Sequence, residues 1–248
     1  MNRGSAFLKV HCPLCFLCIG GLRIFRYLYR MGNWINIHTH RPGKGINILD
    51  SCLGETLPCR EGKIFHSAGI HPCFIDARSR ERLEELEQAA AGGKIVALGE
   101  AGLDRNAPAS LPVQQALFEA QLQMACRYDL PLVIHVVRVV PELVASCKKC
   151  PSFGKGIIHG FNNRREILYD LLRHGFYVSV GAKVLDARSH ASVLLPEIPA
   201  ERLFLETDNA AIPIEEIYQA AALRKQVAVS ELQCLIEANF RKLFTRCG

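Results

Sequence analysis

Short apolar, β-branched runs in this chain end, one after another, in a side chain that can ligate a metal. INIHTH closes on His38 and His40, ALGEAGLD carries Glu100, LPLVIH closes on His135, GIIHGF carries His159, and LFLETD closes on Asp208. Helical patterns lie between most of these runs. Strands alternating with helices predict parallel strands joined by right-handed crossovers. Parallel strands of a barrel release their last side chains at one face, where active sites of such barrels sit. The fold class expected is α/β, a TIM-type (β/α) barrel, with its ligating residues gathered at the C-terminal mouth.

The strand-like runs are Trp34–His38, Ile46–Leu49, Ile64–Ile70, Ile95–Leu98, Leu132–His135, Gly156–His159, Phe176–Val180 and Leu203–Glu206. The helical patterns cover Arg80–Ala91, Val113–Tyr128, Pro141–Cys150, Arg164–His174, Ala191–Leu195, Ile214–Ala222 and Ser230–Phe244. Pro112 and Pro141 suit a first helical turn, and Gly175 suits a helix stop. Ser230 with Gln233 three residues on reads as a capping box. One segment resists the eightfold scheme. Only Arg41 to Gly45 separate the first strand from the second, whereas a parallel crossover takes a dozen residues or more. The second strand is therefore expected to run antiparallel or to leave the barrel, which would be distorted or short of one helix near its start.

The net charge of +6 points to a polyanion only until it is located. Residues 1–30 hold five basic side chains (Arg3, Lys9, Arg23, Arg26, Arg30) and no acidic one, so the rest is nearly neutral. Bulk charge thus neither selects nor excludes a nucleic-acid partner. An apolar stretch from Val10 to Leu22 is too short to span a bilayer, which takes about 20 residues. An interfacial anchor is conceivable. A start assigned too far upstream, with Met31 as the natural first residue, accounts better for this stretch. The expectation is a leader over residues 1–31, a single barrel domain over 32–248, and no stable membrane partner. Eleven cysteines without a repeating spacing read as reduced thiols of a cytoplasmic protein. Neither Cys12, Cys15 and Cys18 nor the lone pair Cys147 and Cys150 has the partner pair a metal cluster requires.

At the candidate site, His38 and His40 stand at i and i+2, on one side of a strand end, and can grip one ion together. Alone, such a pair is as well explained by backbone carbonyls. Glu100 after an apolar strand would be costly unless paired or metal-bound, and its two oxygens can bridge two cations. His135 and His159 close nearly identical constructions one βα unit apart. Asp208 can bind a metal and accept a proton from its water, which makes Asp208 and Glu100 the candidate catalytic carboxylates. Asp104 is a candidate orienter of a ligand, with a helix cap as the rival explanation. Glu206 is another, with a buried ion pair as its rival. Cations held about 3.5–4 Å apart by such a set would stabilise both the attacking and the leaving oxygen. No helix-turn-helix, zinc finger or aromatic stacking platform is visible.

The ordered set HTH, GIHP, GEAGLD, LVIH, IIHGF, SVG, LETD and EANFRKLF, from Trp34 to Phe244, resembles the TatD-related family of metal-dependent deoxyribonucleases and hydrolases. The resemblance implies a barrel hydrolase that cleaves phosphodiester bonds of DNA, commonly as an exonuclease, with two divalent metal ions (Mg, Mn or Zn). His38, His40 and Asp208 would hold one ion and His135 and His159 the other, with Glu100 bridging. It also places His71 of GIHP near the substrate phosphate. The chain departs from the family pattern in Asn36, where an aspartate is usual, in Cys73 after Pro72, and in Arg138, one residue later than the usual basic position. Two rival readings stand beside it. One is an amidohydrolase-like enzyme on a cyclic amide, lactone or ester, and the other a non-catalytic metal-binding barrel. The first would often bridge its metals with a modified lysine where this chain has Glu100.

Overall fold

The apolar runs form eight strands, and every neighbouring pair is parallel in the order β1 to β8. The computed structural model describes residues 32–51 and 61–247. The expected leader, Met31 and the Cys12, Cys15 and Cys18 run lie outside them. The strands are β1 Ile35–Thr39, β2 Ile46–Asp50, β3 Ile64–Ala68, β4 Ala97–Asp104, β5 Leu132–Val137, β6 Gly156–Ile158, β7 Tyr177–Val180 and β8 Leu203–Leu205. Just past β8 the Asp208 N–H donates to the His38 carbonyl at 3.0 Å, and the His40 N–H donates to the Asp208 carbonyl at 3.2 Å. Those two bonds join the last strand to the first at the mouth.

Helices α1 Ser79–Ala91, α2 Leu111–Tyr128, α3 Val140–Cys147, α4 Arg165–Arg173, α5 His190–Leu194, α6 Ile214–Lys225 and α7 Val229–Leu243 follow the expected patterns closely. Pro112 and Pro141 lie in the first turns of α2 and α3, where a missing N–H costs nothing. No helix among the described residues is long and apolar enough to cross a membrane. The capping box does not form: α7 begins at Val229 with Ala228 at its N-cap and no side-chain cap bond, so Ser230 already lies inside the helix.

The second strand departs from expectation. β2 is parallel to β1 and remains in the barrel, with Ile35 beside Ile46. Residues 40–45 make the return without a helix, because two five-residue strands are short enough for six extended residues to retrace. The buried amide of Asn47 supplies the bonds a helix would have made. Its Nδ2 donates to the carbonyls of Gly43 (2.8 Å) and Gly45 (3.0 Å), and its Oδ1 accepts the Gly43 N–H (3.1 Å). Gly45, at φ +91°, admits no side chain there, since a Cβ would fall 2.2 Å from the Trp34 carbonyl oxygen. The expectation of a barrel short of a helix between its first two strands holds, though with the opposite strand direction.

The thiols also differ from expectation. Cys126 of α2 and Cys150 beyond α3 form a disulfide, which two helices adjacent in the outer layer bring together. Cys147 remains a thiol, half-buried, and desolvation pushes its pKa up to about 12.

Candidate metal centre

Glu100 lies at the middle of the barrel mouth because β4 continues past Leu98, where the sequence pattern ends it, as far as Asp104. Gly99 before it, at φ +113°, allows this close passage, since a Cβ there would meet the Val133 carbonyl oxygen at 2.3 Å. Glu100 Oε1 lies 2.8 Å from His159 Nε2, 3.1 Å from His135 Nδ1 and 3.2 Å from His71 Nε2. Its Oε2 lies 3.4 Å from His38 Nε2. Asp208 Oδ1 faces His38 Nε2 at 3.6 Å and His40 Nε2 at 3.5 Å. All six ligands expected from the sequence therefore converge, and His71 joins them.

Asp104 and Glu206 back this cluster. Asp104 Oδ2 lies 3.0 Å from His135 Nε2, while its Oδ1 accepts the Asn106 N–H at 2.7 Å. As a strand residue it is no helix cap. Glu206, fully buried, accepts the Gly160 N–H at 2.6 Å and stands 3.5 Å from His159 Nδ1. Among the described residues Asn36 makes no hydrogen bond to His38. It grips Thr207, accepting its N–H at 3.0 Å and donating to its Oγ1 at 2.8 Å, and so fixes the backbone just before Asp208.

Three contributors escaped the sequence reading. Asp50 ends β2 with Oδ2 3.7 Å from His40 Nδ1 and with Oδ1 accepting the Glu100 N–H at 3.3 Å. Its signal was present, an acid closing the apolar run INILD. Gln114 and Gln121 lie two turns apart on the buried face of α2. Gln114 accepts the Asp104 N–H (2.8 Å) and donates to its carbonyl (3.0 Å), and Gln121 does the same for Ile70 (2.7 and 3.3 Å). One helix thus holds the two backbones that carry Asp104 and His71.

The charges are tightly interlocked. Burial would raise the Glu100 pKa, but the facing imidazoles of His135, His159, His38 and His71 hold it far below the carboxylate range. Burial would likewise lower His38, but Asp208 and Glu100 outweigh it and push His38 up to about 9. Asp208 is also held low, chiefly by His38 against the effect of burial. Burial instead raises Asp50.

His38 is fully buried, with Nδ1 lacking a hydrogen-bond partner among the described residues and Nε2 facing Glu100 and Asp208 only at 3.4 and 3.6 Å, outside good hydrogen-bond geometry; His159 Nδ1 likewise has only Glu206 at 3.5 Å. Buried polar nitrogens left so are costly unless a ligand takes them. Three overlapping groups have ligand atoms within 4.8 Å of one another: His38, His40 and Glu100; His38, His159 and Asp208; and His71, Glu100 and His135. Imidazole nitrogens with carboxylate oxygens suit divalent first-row ions, so the residues fit Zn and Mn among the metals expected.

A parallel eight-stranded barrel with an imidazole and carboxylate cluster at its C-terminal mouth defines a metal-dependent hydrolase of the TIM-barrel class. Within that class, the chain belongs to the TatD related DNase family, whose model matches residues 55–245. The 3'-5' ssDNA/RNA exonuclease TatD of Pantoea sp. (strain At-9b) is 32% identical over 222 residues, covering 81% of this chain and 85% of that protein. Its counterpart from Enterobacter lignolyticus (strain SCF1) is 33% identical over 171 residues, 66% of this chain and 65% of that protein. The crystal structure of YjjV, a TatD homolog from Escherichia coli K12, shares the fold with a TM-score of 0.75 at 24% identity, covering 85% of this chain and 97% of that one.

Proposed function

We propose that this protein hydrolyses phosphodiester bonds of DNA, trimming strands from an end, with two divalent ions (Mg, Mn or Zn) held by His38, His40, Glu100, His135, His159 and Asp208. The observation that carries the reading is Glu100, whose carboxylate meets four imidazoles at the barrel mouth. When bound, such ions lower the pKa of water and neutralise charge on the transferring phosphate. Glu100 stays ionised in this setting and is placed to link the two half-sites. Asp208, with a side chain 37% exposed and a depressed pKa, is an anion open to solvent and can accept the proton of the attacking water. Asp104 fixes His135, and Glu206 fixes His159 through Gly160, so that both rings keep their orientation. His71 reaches Glu100 at 3.2 Å beside His135 in the third of these groups, a place from which it can also meet a phosphate oxygen. The relatives named as 3'-5' exonucleases on single strands support both the substrate and the direction of attack.

The test is an end-labelled single strand incubated with the purified protein and each metal in turn. Progressive shortening from the 3' end, abolished by chelation and by Asp208→Ala in a protein that still melts cooperatively, is the expected result. An intact strand under metal-loaded wild-type enzyme would remove the reading, and unchanged turnover in Asp208→Ala would remove the assigned base.

A further inference from the structure

Phe74 is 70% exposed and stands beside the metal centre. Its ring centroid is 5.4 Å from that of His71, whose Nε2 is 3.2 Å from Glu100. The ring is also mounted on a braced backbone. Pro72 opens the single 3-10 turn Pro72–Phe74, and the Phe74 N–H donates to the His71 carbonyl at 2.9 Å. The Cys73 N–H donates to His71 Nδ1 at 3.1 Å. Arg82 donates to the Phe74 carbonyl at 2.9 Å and pairs with Asp76 at 2.9 Å. The other exposed aromatic side chain among the described residues, Tyr169 of α4, is anchored through its hydroxyl to Glu197 at 2.8 Å. An apolar ring held to water on a fixed mount, one ring away from the reacting centre, is suited to a flat ligand.

We infer that Phe74 is the platform on which the nucleobase beside the scissile phosphodiester stacks, a substrate-positioning role that rests on the nuclease reading above. Base stacking on an aromatic ring is tolerant of sequence, because every base has a π-face, but it needs an unpaired base. The backbone of the strand has cations to follow: Arg41 after β1 and Arg138 after β5 are exposed and have no carboxylate partner among the described residues. A stacking ring combined with unpaired cations is the usual way a protein binds single strands. No such platform was visible in the sequence, because a lone phenylalanine after GIHPC gives no sign that its ring faces water.

The test compares two end-labelled single strands of one sequence, the first with an ordinary 3'-terminal nucleotide and the second with an abasic one. Phe74→Ala is expected to lose about tenfold to a hundredfold in kcat/KM on the ordinary strand and to reduce its preference over the abasic strand by a similar factor. Phe74→Trp should restore the preference. Leu223→Ala, an equally exposed apolar side chain on α6, is the surface control and should behave as wild type. A preference unchanged in Phe74→Ala overturns the inference while leaving the hydrolase reading intact. Wild-type enzyme that cuts neither strand overturns the hydrolase reading, and the stacking role with it.

Discussion

Asp50 and His40 form a pair that reaches across the first two strands, carboxylate Oδ2 to imidazole Nδ1 at 3.7 Å. The pair leaves His40 Nε2 facing Asp208, so the tautomer that can ligate is the one Asp50 favours. Replacing Asp50 with Asn should weaken metal binding by about tenfold to a hundredfold, read by titration calorimetry on a protein with an unchanged melting curve. Metal affinity equal to wild type would show that His40 needs no such support.

Metal should stabilise the fold as well as activate it. A divalent ion at about 100 times its Kd contributes about 2.7 kcal/mol. For a chain of this size that is a Tm rise of roughly 5–10 °C, read by calorimetry before and after chelation. Equal melting curves with and without metal would count against the cluster as an ion site.

Gln114 holds both polar groups of the Asp104 backbone from inside α2. Gln114→Ala leaves them buried without partners, at about 1–3 kcal/mol each. The expected outcome in urea unfolding is a loss of about 2–5 kcal/mol, together with slower turnover because Asp104 no longer steadies His135. A loss under 1 kcal/mol would mean that water replaces the amide.

The Tyr218 hydroxyl accepts the Ile35 N–H at 3.2 Å and donates to the Ile35 carbonyl at 3.1 Å, with its ring edge-on to Trp34. Burial raises its pKa above the ordinary phenol value, against the lowering effect of the Ile35 backbone bond. A raised native pKa gives stability that is complete below the unfolded value of about 10 and is lost as pH rises toward the native one. Wild type should therefore lose unfolding free energy above about pH 10 more steeply than Tyr218→Phe, by up to about 1.4 kcal/mol per pH unit. Parallel profiles would sink this assignment.

Much of the site was legible because chemistry and periodicity coincided. His135 and His159 end apolar runs, and the runs became β5 and the end of β6. What was not legible depended on contacts distant in sequence or on side chains with two plausible uses. The direction of β2 turns on one amide, that of Asn47, reaching back to Gly43 and Gly45. Gln114 and Gln121 look like the wet face of a helix until the helix is docked. Asp50 resembled the end of a strand, not a partner for His40. Ser230 and Gln233 had the right spacing for a cap, but α7 starts a residue earlier, and the pattern fell inside it. The cysteine expectation failed in the same way, since Cys126 and Cys150 meet only once α2 and α3 lie side by side.

The helix-free return between β1 and β2 also bears on how the barrel assembles. Its two strands are brought together across a handful of residues, so the chain entropy lost in closing that ring is small beside that of any helical crossover. Contacts so local form fast. This hairpin-sized parallel pair, already carrying His38, His40 and Asp50, is a natural seed for the slower helical crossovers, so part of the metal centre would take shape before the barrel closes around it.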